Sequence, residues 1–438
     1  MYERLFSLLP CCTVPFIRFA RLLVDMMQWS TLSLFSSLAH FTRATILQNG
    51  QVRETDFLKT AVTASTLTNW TAHSPDSQHL SYKGRWDSQH ISWWSSPGLK
   101  FGVHGNRVAI SFGNNTSDGV LVGFRFDGLD WQFTNITTGA THLFAPAPTD
   151  PVVASTALSV FELRVSNFAY GVQIASVLTP PDSSLFTVPD FGRRLEMIGD
   201  SLSAGYSATY EGLASFGHGL CAGLGDTEYS ITAIPGICVH DQECFGNPRG
   251  QTFQWYQTSD TSGRAQALYG DKPIPWDFQR HPAADIVVIN LGTNDNNSAN
   301  NVGVVNFYNS YVQLVEGVHQ TWPEADIVIM SLWNGFYQSG TTYKQSGGYV
   351  NEVYDVYQHF NNGTSAVPGT KPFVHYFNST GILQHNDINP AYHPTDVGNI
   401  KLASHMMQYI KNTFGWEFAA TGPEIQHETL YWNNEVAY

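Results

Sequence analysis

Charge is scarce in this sequence. Only 13% of its 438 residues are Asp, Glu, Lys or Arg, and 36 acidic residues outnumber 22 basic ones. Binding to nucleic acid or to an anionic membrane depends on clustered Lys and Arg. The formal net charge of −14 therefore argues against both kinds of partner. With 42% apolar residues, the chain is predicted to be globular.

The sequence near its start also lacks an apolar run of the about 20 residues that a membrane-spanning helix requires. Residues 27–39 form a shorter apolar segment, and Thr42-Arg43-Ala44 follows as a small-residue cleavage site, as in a secretory signal peptide. We therefore predict a leader over residues 1–44, with Met26 or Met27 as the true start, and a secreted, extracellular protein. The alternative is one long amphipathic N-terminal segment.

Cysteine is scarce as well, with five residues in the whole chain. Cys11 and Cys12 would be removed with the leader, which leaves Cys221, Cys238 and Cys244. An odd number in a secreted chain implies one disulfide and one free thiol. Cys238 and Cys244 could close a small loop, Cys221 could pair with either of them, and three buried thiols are the remaining alternative.

Acceptor sites for N-glycosylation support secretion, because Asn-X-Ser/Thr marks surface loops of secreted chains. The seven candidates are Asn69, Asn114, Asn115, Asn135, Asn296, Asn362 and Asn378.

Helical periodicity is missing between residues 50 and 188. Apolar and polar residues alternate there, as they do in half-buried strands, and Asp127-Gly128 is a hairpin turn signal. The strand candidates are 108–112, 120–126, 159–165 and 170–177. We predict an all-β, jelly-roll-like domain over residues 50–188, which ends in a proline-marked connection.

From residue 193 onward, short apolar strands alternate with helical segments. Strands are predicted at 195–198, 229–234, 285–291, 327–332 and 373–377. Helices are predicted at 302–322, at 349–360, and from about 394 to 414. This alternation indicates a parallel sheet covered by helices on both faces, in an α/β domain over residues 193–418. Residues 419–438 form a C-terminal tail.

Four short blocks lie just after a predicted strand or just before a predicted helix. They are Gly199-Asp200-Ser201-Leu202-Ser203, Ala233-Ile234-Pro235-Gly236, Leu291-Gly292-Thr293-Asn294-Asp295 and Tyr392-His393-Pro394-Thr395. Open α/β sheets bind their ligands at the carboxyl ends of the strands, so we expect the four blocks to form one site.

The residue types in these blocks suit acyl transfer. Ser201 is the candidate nucleophile, and His393 is the candidate base that takes its proton and later protonates the leaving alcohol. The backbone amides of Ser201 and Gly236 and the side-chain amide of Asn294 are the candidate oxyanion hole. Asp200 is interpreted as structural, bonding the amides of its turn.

This set resembles the SGNH hydrolases, also called GDSL esterases, whose serine, glycine, asparagine and histidine occur in this chain order. The resemblance covers about residues 193–415. It implies a flavodoxin-like, three-layer α/β domain with a parallel sheet and the serine after its first strand. A β-domain in front narrows the resemblance to carbohydrate esterase family two, of a secreted fungal type, whose members remove acetyl groups from cell-wall sugars.

One position departs from the SGNH pattern. Most members carry Asp three residues before the histidine, where it orients the imidazole, but this chain has Pro390. A backbone carbonyl is the favoured replacement, and some members of the family that the chain resembles use one. Asp387 and Asp396 are the alternative candidates for orienting His393.

Two further patterns are missing. Position 203 is serine, so there is no Gly-X-Ser-X-Gly elbow of the α/β-hydrolases. The histidines show no metal-ligand spacing, so no metal site and no cofactor are predicted. Exposed aromatic rings can stack on sugars, and the candidates for substrate contact are Tyr392, Trp333, Trp255 and Trp276.

The sequence therefore predicts a secreted serine esterase that removes acetyl groups from carbohydrate, such as acetylated xylan or mannan, through an acetyl-enzyme on Ser201. The enzymatic alternative is a GDSL-type lipase or general carboxylesterase. The non-enzymatic alternative is a carbohydrate-binding protein. The sequence leaves the polysaccharide, the acetyl position and the oligomeric state open.

Overall fold

The computed structural model describes residues 47–48, 51–52, 57–147, 158–362, 371–388 and 392–419. The predicted leader, its cysteines, Pro390 and nearly all of the C-terminal tail lie outside these residues. Before residue 57, the described residues form a two-stranded antiparallel hairpin of β1 (Leu47–Gln48) and β2 (Gln51–Val52). In the described part of the chain, no helix combines the length and the apolar character needed to cross a membrane.

Two six-stranded antiparallel sheets form the first part of the unit that begins at Phe57. Their strands are β3 (Ala61–Val62), β4 (Thr71–His73), β5 (Ser81–Lys83), β6 (Ile91–Ser92), β7 (Gly98–His104), β8 (Val108–Phe112), β9 (Leu121–Phe126), β10 (Gln132–Asn135), β11 (Thr141–Phe144), β12 (Leu158–Val165), β13 (Val172–Thr179) and β14 (Leu185–Phe186). One sheet has the order β10-β9-β12-β7-β14 with β5 on β7, and the other has the order β3-β11-β8-β13-β4 with β6 on β13.

The two sheets share one apolar core. Phe124 of β9 and Phe144 of β11 belong to different sheets, yet their ring centroids are 4.8 Å apart. Alternate residues of β12 are buried along its first half, as the period-2 pattern predicted. The predicted all-β domain is therefore confirmed as an antiparallel β-rich domain, and among its described residues the one helical element is a 3₁₀ turn at Ala64–Leu67.

A five-stranded, fully parallel sheet follows, as the sequence predicted. Its strands are β15 (Arg193–Gly199), β16 (Thr227–Ala233), β17 (Ile286–Asn290), β18 (Asp326–Met330) and β21 (Val374–Phe377), in the order β16-β15-β17-β18-β21. A separate hairpin of β19 (Phe336–Ser339) and β20 (Thr342–Gln345) follows β18. The predicted strand bounds differ from these by a few residues at most.

Helices cover both faces of the parallel sheet. They are α1 (Ser201–Ala204), α2 (Phe216–Leu224), α3 (Gln251–Gln254), α4 (Gly263–Tyr269), α5 (Val304–Thr321), α6 (Val350–Asn362) and α7 (Asp396–Phe414). Further 3₁₀ turns lie at Glu211–Ala214, Phe278–Arg280 and His385–Asp387.

The alternation of side chains along β17 assigns these helices to faces. Val287 and Ile289 join the apolar cluster of α5 and α6, whereas Ile286 and Val288 join the cluster of α2 and α7. The predicted three-layer arrangement is thereby confirmed.

The β-sandwich contacts the parallel sheet through buried charges. Lys83 Nζ lies 2.8 Å from a carboxylate oxygen of Glu228 on β16, and Arg85 Nη2 lies 3.3 Å from one of Glu196 on β15. Arg85 also donates to the carbonyls of Trp255 and Gln257. Residues from Phe57 onward form one compact unit, so the boundary between residues 188 and 193 stays a prediction.

Candidate active site

The register of the parallel sheet brings three of the four predicted blocks together. Gly199, the last residue of β15, pairs with Ala233 of β16 on one side and with Asn290 of β17 on the other. Each block begins where its strand ends, so their loops share the carboxyl edge of the sheet. The expectation that one edge gathers the blocks is met by this geometry.

The chain turns sharply after Gly199 and presents Ser201 as the first residue of α1. A side chain at position 199 would collide with Ser203, because a Cβ there would lie 2.1 Å from Ser203 Oγ. Asp200 caps the helix, since its carboxylate accepts a hydrogen bond from the Leu202 amide at 2.9 Å. The structural interpretation of Asp200 therefore fits its contacts.

His393 reaches this serine from the loop that precedes α7. Its Nε2 lies 2.9 Å from Ser201 Oγ, which is hydrogen-bond distance. The loop is fixed on its far side by Thr395, whose hydroxyl accepts a hydrogen bond from the Gly398 amide and caps α7. The ring of Tyr206 packs against the imidazole, with 4.7 Å between ring centroids. A hydroxyl and an imidazole in this contact are the pair that nucleophilic catalysis requires.

The loop after β16 holds Gly236 in a conformation that suits glycine. Its φ is 82°, and a Cβ there would lie 2.9 Å from Phe245 Cβ. Asn247 donates to the Pro235 carbonyl at 2.9 Å, and a disulfide joins Cys238 to Cys244. The loop that carries Gly236 is thus cross-linked at several points.

Of the alternatives that the sequence left for the cysteines, the structure contains the Cys238–Cys244 pair. Cys221 is a free, buried thiol on α2, and burial raises the pKa of its thiol.

Asn294 and Asp295 tie the loop after β17 to the loop of Gly236. The Asn294 side-chain nitrogen donates to the Ile237 carbonyl at 2.8 Å and to Asp200 Oδ2 at 3.3 Å. The Asp295 carboxylate accepts from the amides of Val239 and His240 at 2.9 and 3.1 Å. Burial raises the pKa of Asp200 to about 7 and that of Asp295 to about 6.

A cleft of about 700 Å³ opens above this constellation. Its lining residues are Ser201, Tyr206, Pro235, Gly236, Phe245, Thr293, Asn294, Asn296, Asn297, Ser298, Asn334, Tyr392 and His393. None of these described lining residues is Asp, Glu, Lys or Arg. Three exposed rings, those of Tyr206, Phe245 and Tyr392, face an array of amides and hydroxyls, and such a surface suits an uncharged polar ligand.

The predicted aromatic contacts divide into one that lines the cleft and three that do not. Tyr392 lines it, with 39% of its surface exposed. Trp333 is buried instead, and its indole nitrogen donates to the Tyr392 carbonyl at 3.0 Å, so it supports Tyr392 from below. The interpretation of Trp333 as a substrate contact is corrected accordingly.

Trp255 and Trp276 are also corrected. Trp255 is completely buried, and its ring packs against Phe278 and Trp322. Trp276 is partly exposed, but its ring stacks on His281 at 3.9 Å and lies outside the cleft. Loop position alone suggested that these rings contact substrate, whereas packing buries Trp255 and the contact with His281 holds Trp276 outside the cleft.

Both carboxylates proposed to orient His393 bind other groups. The Asp387 oxygens each lie 2.8 Å from Lys401 Nζ, and the Asp396 oxygens accept from the amide and hydroxyl of Thr209. Residues 389–391, which include the favoured stretch of backbone, lie outside the described residues. The backbone-carbonyl alternative therefore stays a prediction.

The predicted glycosylation acceptors differ in their surroundings. Asn69, Asn114, Asn135, Asn362 and Asn378 are exposed, and Asn115 is half-buried. Asn296 lines the cleft, where a glycan would obstruct access to Ser201. We therefore expect Asn296 to contact substrate rather than to carry a sugar.

Sequence reasoning missed several cleft residues. Tyr206 follows Ser201 by five positions, and Asn296, Asn297 and Ser298 lie two to four positions after Asn294. Their closeness to two predicted blocks was the available signal. Phe245 gave a weaker signal, because it reaches the cleft only through the disulfide loop.

Comparison with known proteins agrees with this geometry. Residues 197–399 match the sequence profile of the GDSL-like lipase/acylhydrolase family. No curated protein sequence matches the chain. A family two carbohydrate esterase from Cellvibrio japonicus is similar in structure, with a TM-score of 0.62 and 14% identity over 79% of this chain and 98% of its own.

Two further solved structures are similar to a comparable extent. One is a family two carbohydrate esterase from Clostridium thermocellum in complex with cellohexaose, with a TM-score of 0.57 and 20% identity over 77% of this chain and 99% of its own. The other is an acetyl xylan esterase from the rumen bacterium Butyrivibrio proteoclasticus, with a TM-score of 0.59 and 16% identity over 79% and 99%. At these identities the likeness establishes the shared fold.

Proposed function

Residues 197–399 form a GDSL-like lipase/acylhydrolase domain, which makes this chain an ester-cleaving hydrolase, and we propose that it removes acetyl groups from carbohydrate. The observation that carries the proposal is the 2.9 Å contact between Ser201 Oγ and His393 Nε2 at the floor of an uncharged, aromatic-rimmed cleft.

The proposed reaction proceeds in two acyl-transfer steps. Ser201 Oγ attacks the acetyl carbonyl carbon while His393 Nε2 accepts the hydroxyl proton. The carbonyl oxygen becomes an oxyanion, which the amides of Ser201 and Gly236 and the Asn294 side chain stabilise. The tetrahedral intermediate then collapses, and the sugar oxygen leaves with the proton that His393 returns, so that acetate remains esterified to Ser201.

Hydrolysis of this acetyl-enzyme repeats the sequence with water. His393 removes a proton from the water, whose oxygen attacks the acetyl carbon, and the second tetrahedral intermediate expels Ser201 Oγ, which regains its proton. Acetic acid and the free enzyme result, and acetic acid ionises to acetate by releasing its proton to solvent. His393 carries each proton that passes between the reacting oxygens, and no cofactor is assigned to this chemistry.

The cleft surface supports carbohydrate as the alcohol. Tyr206, Phe245 and Tyr392 offer ring faces, on which the apolar faces of pyranoses can stack. Asn296, Asn297 and Ser298 offer hydrogen-bond donors and acceptors of the kind that match sugar hydroxyls. The structural likeness to an acetyl xylan esterase and to a cellohexaose complex adds support for acetylated xylan, mannan or related oligosaccharides.

Two alternatives remain to be tested against this proposal. A GDSL-type lipase or general carboxylesterase would gain about 0.8 kcal/mol for each further CH₂ of the acyl chain that it buries. A carbohydrate-binding protein would bind sugar through the same surface without turnover. Covalent labelling of Ser201 by a fluorophosphonate separates an enzyme from a binding protein, and Ser201→Ala is the matched unlabelled control.

The deciding experiment measures acetate release from a panel of acetylated glycans, together with the hydrolysis of p-nitrophenyl acetate, butyrate and octanoate. A deacetylase should lose kcat/KM as the acyl chain outgrows its pocket, and it should release acetate from acetylated xylan or mannan. A kcat/KM that rises through octanoate, with no acetate released from any glycan, would assign the chain to the lipases instead.

Secretion and glycosylation belong to the same proposal. The apolar segment at residues 27–39 and the exposed acceptor sites support an extracellular glycoprotein. Expression in a eukaryotic host with N-terminal sequencing of the secreted product tests the leader over residues 1–44. Mass spectrometry of the same product tests the acceptors, and we expect Asn296 to be unmodified because it lines the cleft.

A further inference from the structure

The side-chain nitrogen of Asn294 carries two hydrogens, and both are already engaged. One hydrogen bond runs to the Ile237 carbonyl at 2.8 Å, and the other runs to Asp200 Oδ2 at 3.3 Å. Both partners are oxygen acceptors, which fixes the orientation of the amide, because its own oxygen would be repelled from this position. If Asn294 stabilises an oxyanion, one of these two hydrogen bonds has to be released.

The distances indicate which bond is released. The bond to Ile237 lies at the usual N–H···O distance of about 2.9 Å, whereas the bond to Asp200 is longer and therefore weaker. The hydrogen that points to Asp200 is thus the one that can transfer to a new acceptor. Asp200 directly precedes Ser201, and Ser201 and Asn294 line the same cleft, so the donor and the attacking hydroxyl belong to one site.

Asp200 is held rigidly enough to position that amide. It is completely buried, and its Oδ1 accepts from the Leu202 amide at 2.9 Å in the same turn that presents Ser201. Among the described residues no cation pairs with it, and the nearby Asp295 carboxyl adds like charge. The two contacts of Asp200 therefore join the nucleophile turn to the oxyanion donor.

We propose that Asp200 is a positioning residue for the oxyanion hole: its Oδ2 holds one N–H of Asn294 beside Ser201 in the free enzyme and yields that N–H to the oxyanion as charge develops. In this exchange no covalent bond forms or breaks and no proton is transferred; only the acceptor of one hydrogen bond changes. The donor is already desolvated and aimed, so the transition state gains a hydrogen bond without reorganising the site. The proposal rests on the serine-esterase function proposed above.

The test is a double-mutant cycle on the hydrolysis of p-nitrophenyl acetate, with kcat and KM measured separately for wild type, Asp200→Asn, Asn294→Ala and the double variant. Asparagine keeps the shape of Asp200. Its single carbonyl oxygen should keep the shorter, 2.9 Å bond from the Leu202 amide. The NH₂ then faces the Asn294 amide, and the contact with Asn294 is lost.

We expect Asp200→Asn to lower kcat about 10- to 100-fold, part of the 10²–10³-fold that removal of a donor costs, with KM changed less than about threefold. The double variant should be no slower than Asn294→Ala alone, because Asp200 acts only through that amide. A merely structural role would instead give effects that multiply, and that result would overturn the proposal.

Asp260 supplies a matched control. It is also buried, burial raises its pKa to about 6, and its Oδ1 accepts from the amide two residues onward, that of Ser262, at 2.8 Å. It does not line the cleft. Asp260→Asn therefore reports what the loss of a buried carboxylate that bonds an amide two residues onward does by itself, and it should leave kcat within about twofold of wild type.

Asp200→Ser guards against loss of the fold. Serine is as good an N-cap as aspartate, so the helix turn is preserved, but its single hydroxyl can cap Leu202 or approach Asn294 and cannot do both. It should show the same selective loss of kcat with wild-type circular dichroism. Wild-type kcat in Asp200→Asn or Asp200→Ser would overturn the positioning role. Failure of the wild type to hydrolyse the ester would instead overturn the esterase function.

Discussion

Glu196 and Asp200 are buried acids four residues apart, but they lie in different surroundings. Glu196 is at the interface with the β-sandwich, and Asp200 is at the edge of the parallel sheet that carries Ser201. Glu196 lies within β15 and contacts the Arg85 guanidinium, the Trp255 indole N–H and the Thr232 hydroxyl. Asp200 follows the same strand, and among the described residues its carboxylate accepts hydrogen bonds from N–H groups, including those of Leu202 and Asn294. Both side chains are nearly inaccessible to solvent, so the difference lies in their partners.

The partners decide what each acid does. A buried ion pair such as Arg85–Glu196 is strongly destabilising to break, which makes it a structural link between the β-sandwich and the parallel sheet. A buried carboxyl without a cation keeps a raised pKa, and such groups cluster at functional sites. Glu196 and Asp200 thus differ in two respects, their position relative to β15 and the presence of a paired cation. The variants below separate these two differences.

The largest effect should come from the catalytic edge, at Ser201 and His393. Ser201→Ala and His393→Ala should each lower kcat on p-nitrophenyl acetate by several orders of magnitude with no loss of fold, because they remove the proposed nucleophile and its proposed base. Ser203→Ala is the control, since Ser203 is a second buried serine of the same helix, and it should stay active. Activity above about a hundredth of wild type in Ser201→Ala would exclude it as the nucleophile.

The next effect should come from the oxyanion donor. Asn294→Ala should lower kcat about 10²–10³-fold and leave KM nearly unchanged, because the donor acts on charge that exists only in the transition state. Asn297→Ala is the contrasting variant: this residue lines the cleft. If it contacts substrate as proposed, KM should rise while kcat stays near wild type. A change confined to KM in Asn294→Ala would reassign that residue to ground-state binding.

At the domain interface, removal of a buried hydrogen-bonding partner should lower the free energy of unfolding and leave kcat unchanged. Arg85→Met leaves Glu196 buried without its cation and should lower the free energy of unfolding by about 3–5 kcal/mol. Urea unfolding measures this, and kcat per folded molecule should be unchanged.

Arg249→Met removes a solvent-exposed partner of Asp241 and is the control, with an expected loss of at most about 1 kcal/mol. Equal losses for Arg85→Met and Arg249→Met would contradict the structural role of the buried pair.

These interface contacts show where sequence reasoning ends. Local patterns predicted the five strands of the parallel sheet, four strands of the β-domain and the four candidate blocks, because each signal lies within a few residues of the element that it describes. Neither Arg85 nor Glu196 gave such a signal. The two residues are 111 positions apart in sequence and come into contact only in the folded chain. The interpretation of Trp255 as a sugar contact failed for the same reason, because burial of a loop ring is decided by distant packing partners.

The smallest effect should come from two carboxyls that are paired although they lie beside the catalytic edge. Burial alone would raise the pKa of Asp387, but hydrogen bonds from Lys401 and the Gln384 amide hold it below its ordinary value. Asp396 binds Thr209. If pairing rather than position decides function, Asp387→Asn and Asp396→Asn should each lower kcat less than about tenfold, far from the about 10⁴-fold loss on removing the orienting aspartate of a serine-protease triad.

The pH dependence of thermal stability tests whether Asp387 acts through its pairing with Lys401. A carboxyl with a lowered pKa stabilises the fold above its unfolded pKa of about 3.9, and that contribution is lost as the pH falls through the lower folded pKa. Asp387→Asn should therefore lower Tm at pH 7 and lose this effect in acid, with kcat little changed at neutral pH. A kcat loss near 10⁴-fold at either aspartate would identify the orienting acid of a triad, and position at the catalytic edge would then outweigh pairing.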